Sequence, residues 1–381
     1  MFSQKQLNTF KETETPFYYY DLGVLNKTLA AIKKAAPPEY HIHYALKANA
    51  HPQLLQLIKE AGLGADCVSG NEVKRAVETG YSGNKIVFAG VGKSDKEINY
   101  ALDHSIFCFN VESVPELKVI DELARKKNTR ANIALRINPN VDAYTHKYIT
   151  TGLEENKFGI NPYEFDTVIE ELKKLSHINF IGLHFHIGSQ INDLTPFKNL
   201  CSRVNEINKW FIQKGYLLPH INVGGGLGID YKDPDTNTIV DFESYFKVFK
   251  QFLELQPQQE IHFELGRAII GQCGSLISRV LYVKHGINTS FAILDAGMTE
   301  LIRPALYQAY HKIENISSEK KTSLKYDVVG PICESSDCFG KAVEMIETER
   351  GDIIAIRSAG AYGEVMSSQY NLRDKLRSVI L

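Results

Sequence analysis

Tyr44-Ala45-Leu46-Lys47-Ala48-Asn49 ends the first of eight apolar runs in the chain, and amphipathic stretches separate these runs. The eight runs lie at 41–47, 64–69, 85–91, 106–111, 132–138, 179–187, 220–224 and 261–265. Such a succession of strand-then-helix units is typical of a closed parallel (β/α)8 barrel of the TIM type. These barrels carry their chemistry at the C-terminal ends of the strands, and the pattern places Lys47 at such an end.

The texture of the sequence changes beyond about Gly271. Short β-type runs follow at 277–284, 291–294, 325–329 and 353–357, with a helical pattern around 301–311. They predict a second, mostly antiparallel β domain, a sandwich or Greek-key barrel, which the strand at 17–21 could join. The predicted domains are therefore a barrel at 22–265 and a β domain at 1–21 and 266–381.

The composition favours an enzyme that acts on small molecules. A chain of 381 residues with a formal net charge of -2 gives no electrostatic reason to expect nucleic acid or an anionic membrane as partner. The polar N-terminus does not read as a signal peptide, and no apolar stretch has the length of a membrane span. The six cysteines form no Cys-x-x-Cys pair, which indicates a reducing, cytoplasmic setting.

Lys47 is a lone lysine in an apolar stretch. Burial disfavours the charged form of an amine, lowers its pKa and makes the neutral amine a nucleophile towards an aldehyde. Lys47 therefore reads as a Schiff-base lysine. The alternative is a strand-end lysine whose ammonium simply reaches solvent.

Two glycine-containing segments follow the last two predicted strands. Gly224-Gly225-Gly226-Leu227-Gly228 suits a phosphate held by successive backbone N–H groups, although a plain tight turn is the alternative. Glu264 at a buried strand end needs a cation or a hydrogen-bond donor, and a protonated pyridine nitrogen would supply one. Gly266 allows close approach and Arg267 suits a phosphate or carboxylate; an internal ion pair between Glu264 and Arg267 is the competing interpretation.

Histidines end the sixth predicted strand. His184 and His186 alternate onto one face, so the imidazole of His186 could stack on an aromatic cofactor and Ser189 could donate to its phosphate. A satisfied core histidine or half of a metal pair is the alternative. No third ligand at a suitable spacing is evident, so no metal site is expected.

Three further segments offer polar or reactive groups. Cys333 lies in a Gly-Pro loop beside acidic residues, where a thiol can donate a proton, although most free cysteines fill small apolar gaps. Arg303 and Tyr307 lie four residues apart, and the pair suits a substrate carboxylate or a simple surface contact. The Gly360-Ala361-Tyr362-Gly363 loop could wrap a ligand.

With these pieces in hand, the chain resembles the fold-type III pyridoxal-phosphate decarboxylases over nearly its whole length. The matching blocks are YALKAN (44–49), GADCVSGNE (64–72), FAGVGKS (88–94), FNVES (109–113), LRINP (135–139), THKYITTGLEENKFGI (145–160), HIGSQ (186–190), GGGLG (224–228), DAGM (295–298), RPALY (303–307), GPICESSD (330–337) and GAYG (360–363). So many ordered blocks make a chance resemblance implausible.

The resemblance implies pyridoxal 5'-phosphate as cofactor and a role for each matching residue. It implies that Lys47 bonds to the cofactor aldehyde, His186 stacks on the ring and Glu264 pairs with the ring nitrogen. For the phosphate region it implies Ser189, Gly224, Gly225, Gly226, Gly266, Arg267 and Tyr362. For the amino-acid end of the substrate it implies Arg267, Arg303, Tyr307, Glu334 and Tyr362. Cys333 would donate the proton from the second subunit of a homodimer with shared sites.

The expected reaction is loss of carbon dioxide from meso-2,6-diaminopimelate to give L-lysine, the last step of lysine biosynthesis. Two arginines and a glutamate suit a remote end that bears both carboxylate and ammonium, whereas ornithine and lysine carry only an ammonium there. A related decarboxylase for ornithine, arginine, lysine or a carboxylated polyamine is the nearest alternative. An alanine-type racemase would need a tyrosine as second base, and an inactive regulator would not need Lys47, Glu264 and Cys333 together.

Overall fold

The computed structural model describes residues 2–141 and 157–381, so most of the block at 145–160 lies outside the described residues. The chain forms two compact units. One comprises Leu29–Gly228 and Asp241–Gly266, and the other comprises Met1–Thr28, Ile229–Val240 and Arg267–Leu381. They are called the barrel unit and the sheet unit below.

Helices and strands alternate along the first two thirds of the chain. The helices are α1 (Gln4–Glu12), α2 (Leu22–Ala35), α3 (Pro52–Glu60), α4 (Gly70–Glu78), α5 (Asp95–Asp103), α6 (Val114–Lys126), α7 (Phe165–Leu172), α8 (Thr195–Gln213), α9 (Phe242–Phe252), α10 (Arg267–Ile270) and α11 (Arg303–Tyr307). The strands are β1 (Phe17–Tyr20), β2 (His41–Ala45), β3 (Gly64–Cys67), β4 (Ile86–Phe88), β5 (Cys108–Val111), β6 (Ala131–Arg136), β7 (Ile178–His184), β8 (His220–Asn222), β9 (Glu260–Leu265), β10 (Gly274–His285), β11 (Ser290–Leu294), β12 (Ile313–Asn315), β13 (Ser323–Val329), β14 (Cys338–Ile346), β15 (Ile353–Ile356) and β16 (Arg377–Ile380).

The barrel unit is a closed parallel barrel of β2 to β9, which confirms the predicted (β/α)8 fold. Each of the eight predicted apolar runs overlaps one of these strands, and β6, β7 and β9 begin one residue before their runs. The barrel closes where β2 pairs in parallel with β9, with His43 opposite Glu264. Helices α4 and α6 begin at serine N-caps: the hydroxyls of Ser69 and Ser113 accept hydrogen bonds from backbone N–H groups in the first turns of these helices.

The sheet unit contains one eight-stranded sheet in the order β12-β15-β10-β11-β13-β14, with β1 beside β10 and β16 beside β1. The pairs β1/β16 and β11/β13 are parallel and the others are antiparallel, so the expected mostly antiparallel domain is confirmed. The N-terminal strand does join this sheet. Its residues Phe17 and Tyr19 pack with Phe10 of α1, Ile277 and Ile353 in a buried cluster.

Several details of the sheet unit differ from the sequence-based expectation. The helix expected around 301–311 is only the five-residue α11, because Gln308 adopts a left-handed conformation (φ 53°) that ends it. Helix α1 and strands β12, β14 and β16 were not predicted. Helix α1 forms because the Ser3 and Gln6 side chains cap each other's backbone groups and Phe10 is buried. Among the described residues, none of the helices combines the length and hydropathy that a membrane crossing requires.

Candidate active site

Glu264 lies near the C-terminal end of β9 and is 4% exposed. Its Oε1 accepts hydrogen bonds from Nδ2 of Asn110 (3.1 Å) and Nδ2 of Asn222 (2.8 Å). Its Oε2 lies 3.0 Å from Nε2 of His184. These three partners stand on β5, β8 and β7, so barrel closure brings them to one carboxylate.

Burial by itself favours the neutral acid, but the imidazole of His184 and the ammonium of Lys47 more than offset it and hold the pKa of Glu264 below its usual range. The carboxylate is therefore ionised, and Nε2 of His184 carries the proton between them. The buried carboxylate of Glu264, held by three hydrogen-bond donors, can therefore pair with a cation.

Lys47 lies in a 3-10 turn, Leu46–Ala48, that follows β2. Its Nζ is 2.9 Å from Oδ2 of Asp66, and the side chains are 32% and 0% exposed respectively. The predicted apolar setting is therefore wrong, because the ammonium has a carboxylate partner. Burial, followed by the nearby charge of Glu264, raises the pKa of Asp66, while Lys47 opposes that rise.

His186 and the glycine loop contact each other directly. The backbone N–H of Gly225 donates to Nδ1 of His186 over 3.3 Å. Burial, and then the positive charges of Lys47 and Arg136, lower the pKa of His186 well below its ordinary value. The ring is therefore neutral, and its proton resides on Nε2.

The glycine loop leaves no room for side chains. A Cβ at Gly225 would lie 1.8 Å from the carbonyl oxygen of Glu264, and one at Gly224 would lie 2.2 Å from that of Phe185. Gly224 and Gly226 have φ values of 72° and 110°, which favour glycine. The loop thus presents bare backbone beside β9, as an anion-binding turn requires.

Gly266 and Ser189 complete the predicted barrel set. A Cβ at Gly266 would lie 3.1 Å from the Cβ of Ala48 and 3.2 Å from that of Ala45, so a side chain would press on the turn that carries Lys47. Ser189 is half-buried in the loop between β7 and α8. All the barrel-unit candidates lie at or just beyond the C-terminal ends of the strands.

A second group of candidates lies in the sheet unit around the phenol of Tyr231. Nη1 of Arg267 donates to the Tyr231 hydroxyl over 2.5 Å. The guanidinium of Arg303 lies over the same ring, 5.6 Å from its centre, and 5.9 Å from the centre of Tyr307. Arg267 also lies 4.8 Å over Tyr362, a residue with a left-handed φ of 56°.

Both arginines are buried, with Arg267 5% and Arg303 6% exposed. Among residues 2–141 and 157–381, no carboxylate lies within ion-pair distance of Arg303. Burial, followed by repulsion from Arg267, lowers the pKa of Arg303, which still stays charged. Two buried cations around one ring form a site for anionic groups.

Cys333 and Glu334 are exposed in a loop of the sheet unit. The buried carboxylate of Asp337 holds this loop, because its oxygens accept from the backbone N–H groups of Ile332 (2.7 Å) and Met298 (2.6 Å). Cys333 is therefore an exposed free thiol in a loop whose backbone is held by Asp337.

Sequence reasoning missed four contributors to these groups. Asp66, Asn110 and Asn222 are polar residues inside fully buried strands, and that contrast was the available signal. Tyr231 gave no such signal, because it lies in a loop outside every quoted block. The predicted residues themselves divide between the two units, with Lys47, His186, Ser189, Gly224–Gly226, Glu264 and Gly266 in the barrel unit, and Arg267, Arg303, Tyr307, Cys333, Glu334 and Tyr362 in the sheet unit.

The barrel residues suit a pyridoxal phosphate. Lys47 offers an amine for its aldehyde, Glu264 an ionised carboxylate for a protonated ring nitrogen, and Gly224–Gly226 open backbone for its phosphate. The decisive feature is the buried carboxylate of Glu264. Its hydrogen-bond donors are two neutral amides and one imidazole, so its negative charge can still pair with a protonated ring nitrogen.

Known proteins resemble this chain in sequence. The family model described as "Pyridoxal-dependent decarboxylase, pyridoxal binding domain" matches residues 22–271. Diaminopimelate decarboxylase of Bacteroides thetaiotaomicron is 60% identical over 370 residues, which are 97% of this chain and 96% of that protein.

Solved structures agree with the sequence comparisons. Diaminopimelate decarboxylase from Helicobacter pylori complexed with L-lysine superposes with a TM-score of 0.92 at 42% identity, covering 99% of this chain and 94% of that one. The enzyme of the same name from M. jannaschii, also complexed with L-lysine, gives 0.90 at 33% identity, covering 99% and 89%. The chain therefore belongs to the pyridoxal-dependent decarboxylases.

Proposed function

We propose that this chain removes carbon dioxide from meso-2,6-diaminopimelate and releases L-lysine, as the last step of lysine biosynthesis. The observation that carries the proposal is Arg303, a buried guanidinium for which none of the described residues supplies a carboxylate. A substrate with a second carboxylate would supply it. The similar proteins named above carry the matching name, and two of them were crystallised with L-lysine.

In this proposal the residues predicted to bind the cofactor each have a defined role. Lys47 would hold the aldehyde through its amine, His186 would lie against the ring, and Glu264 would keep the ring nitrogen protonated. The phosphate region would be held by Ser189, Gly224, Gly225, Gly226, Gly266, Arg267 and Tyr362. When bound, pyridoxal phosphate supplies a ring that accepts the electron pair left behind as carbon dioxide departs.

The neutral state of His186 matters for that arrangement. A neutral imidazole whose Nδ1 is occupied by the Gly225 N–H presents a flat face without adding positive charge to the ring. The ionised Glu264 then remains the group that decides the protonation of the ring nitrogen, because its pKa is held low by His184 and Lys47 against the effect of burial.

The remote end of the substrate carries a carboxylate and an ammonium. We assign the carboxylate to Arg267, Arg303, Tyr307 and Tyr362, and the ammonium to Glu334. Arg303 is fixed for this task because its guanidinium lies over two phenol rings and is bonded to His311. Neutral partners hold the cation in place and leave its charge for the ligand.

We further propose a homodimer with shared sites, in which Cys333 and Glu334 act in the site of the other subunit. Cys333 is the proton donor to the carbon that has lost carbon dioxide. Its exposure and its anchored loop support this role, because a thiol that serves another chain must reach beyond its own surface. All six cysteines are unpaired, in keeping with the cytoplasm as the proposed location.

The test is carbon dioxide release from a substrate panel with added pyridoxal phosphate. We expect turnover of meso-diaminopimelate and little turnover of ornithine, arginine, lysine or carboxylated polyamines. Arg303→Met should lower kcat/KM for diaminopimelate by roughly 100-fold, since it removes a buried charged partner. Exposed Arg350→Met is the matched control. A preference of the wild-type enzyme for ornithine or lysine would assign the related decarboxylase activity instead.

A further inference from the structure

A group of ionisable side chains lies at the opposite end of the barrel strands from Lys47. His41 and Glu260 are the first residues of β2 and β9, and His262 lies two residues into β9. His41 and His262 are register partners across the strand pair that closes the barrel. We call His41, Glu260 and His262 the seam cluster.

The three side chains converge on one small volume. Nε2 of His41 is 3.2 Å from Oε2 of Glu260, and Nε2 of His262 is 3.9 Å from the same oxygen. One ligand atom from each residue lies within 4.8 Å of the other two. Two imidazole nitrogens and a carboxylate oxygen are a donor set that first-row transition ions prefer.

Nε2 of His262 lacks a hydrogen-bond partner among the described residues, although the residue is only 3% exposed. The other nitrogen, Nδ1, lies 3.0 Å from Nε2 of His43. If Nδ1 carries the proton, the bare lone pair of Nε2 faces the carboxylate of Glu260. If Nε2 carries it, the 3.9 Å between Nε2 and the nearest oxygen of that carboxylate is too long for a hydrogen bond. Neither tautomer satisfies this buried atom.

A cation between Nε2 of His262 and Glu260 resolves the mismatch. The cation accepts the Nε2 lone pair of the tautomer that carries its proton on Nδ1. Nε2 of His43 then accepts a hydrogen bond from the Nδ1–H of His262. Metal-ligating histidines in proteins almost always have such a second-shell acceptor for the remaining N–H. The contact between His43 and His262 is already formed.

We propose that the seam cluster binds one divalent first-row transition ion, of which Zn²⁺ is the best match, through Nε2 of His41, Nε2 of His262 and a carboxylate oxygen of Glu260. The ligand atoms must close to about 2.0–2.2 Å from the ion. The rings of His41 and His262 are now stacked with centroids 4.5 Å apart, so the ring of His41 turns to coordinate. Its side chain is 36% exposed and that of Glu260 is 61% exposed, which leaves both room to move.

The site differs from the proposed active site in place and role. It ties β2 to β9 at the amino ends of the strands, so an ion bound there stabilises the closed barrel. Ligands that bind only the native state raise its stability according to their concentration relative to Kd. Solvent or a small anion takes the remaining coordination position, since three protein ligands leave a zinc ion open.

The test uses untagged holoenzyme and zinc chloride. Isothermal titration should show one site per chain with a Kd at or below about 10 μM, and thermal unfolding should shift upward in excess zinc. His41→Ala and Glu260→Gln should each weaken binding by at least tenfold without loss of bound cofactor absorbance. X-ray absorption of the zinc complex should show two imidazole nitrogens.

Two variants separate the seam cluster from other zinc ligands. His285→Ala removes an exposed histidine elsewhere, and Cys333→Ser removes the exposed thiol; both should leave the zinc affinity unchanged. Wild-type Kd values above about 1 mM would overturn the proposal, with a buried water as the remaining partner of His262. Binding that survives the His41→Ala, Glu260→Gln double variant would overturn it as well.

Discussion

Nε of Arg303 donates a hydrogen bond to Nε2 of His311 over 3.3 Å, while Nδ1 of His311 lies 2.8 Å from the carbonyl oxygen of Arg357. The carbonyl can only accept, so Nδ1 carries the proton and Nε2 offers its lone pair to the guanidinium. His311 is buried, 2% exposed. It is therefore a positioning residue that fixes the direction of Arg303.

Replacing His311 should affect substrate binding more than turnover. His311→Leu removes the acceptor of Arg303, and we expect a roughly tenfold higher KM for diaminopimelate with kcat within about twofold. His311→Gln keeps an amide oxygen as acceptor and should restore much of the lost affinity. Steady-state kinetics with His285→Leu as control checks this. Equal falls in kcat and kcat/KM for His311→Leu would contradict the positioning role.

His311 should also make the protein sensitive to acid. Burial, with the charges of Arg303 and Arg267, lowers its pKa to about 3, although the Arg357 carbonyl opposes the change. An unfolded histidine titrates near 6.5, so below that pH the unfolded chain binds more protons and stability falls as pH falls towards 3. Above about pH 6.5, His311 is neutral in both the folded and the unfolded state, and this loss of stability is absent.

The size of this effect is about 1.4 kcal/mol per pH unit between those limits. Urea unfolding near pH 8 and near pH 5 should therefore show a smaller acid-induced loss in His311→Gln than in the wild type. Exposed His285→Gln should match the wild type at both values. Parallel losses in the wild type and His311→Gln would show that His311 is protonated equally in both states.

Glu264→Gln tests the role of the ionised carboxylate. The amide keeps the shape but cannot hold a protonated ring nitrogen, so kcat should fall by roughly 100- to 1,000-fold while bound-cofactor absorbance persists. Asn222→Ala removes one of the donors to Glu264 and should cost less. An unchanged kcat in Glu264→Gln, with the cofactor bound, would assign the ring nitrogen to another group.

Mixing two inactive variants tests the shared site. Lys47→Ala should lack the absorbance of lysine-bound cofactor and all turnover, whereas Cys333→Ala should keep the absorbance and turn over slowly. In random heterodimers, one site would combine a native Lys47 with a native Cys333, so about a quarter of wild-type activity should return. Mixing Lys47→Ala with Glu264→Gln should restore nothing, because both residues lie in one barrel. Failure of the first mixture to recover would refute shared sites.

The barrel was predictable because each buried parallel strand is an apolar run between helical stretches. Strand β14 was not predicted because Gly340 and Lys341 interrupt its alternation of apolar and polar residues. Its pairing with β13 identifies it as a strand. Helix α1 was not predicted because its sequence is mostly polar. The helix packs through one fully buried residue, Phe10.

The chemical types of the candidate residues were predictable, but their partners were not. Asn110 and Asn222 are separated from Glu264 by 154 and 42 residues, and only the closed barrel directs their amides to one carboxylate. The same holds for Lys47, whose partner Asp66 is 19 residues away on the next strand. Local patterns give residue identity and secondary structure, whereas these contacts depend on the register between strands.

The pairing of His43 with Glu264 across β2 and β9 joins positions that are more than half the chain apart. A nascent chain that has emerged only as far as β8 contains Lys47, the proposed nucleophile, but neither Glu264 nor the strand that closes the barrel. If Lys47 and Glu264 hold the cofactor as proposed, the chain can bind it only after the last barrel strand has been synthesised, and long-range pairing of this kind slows folding.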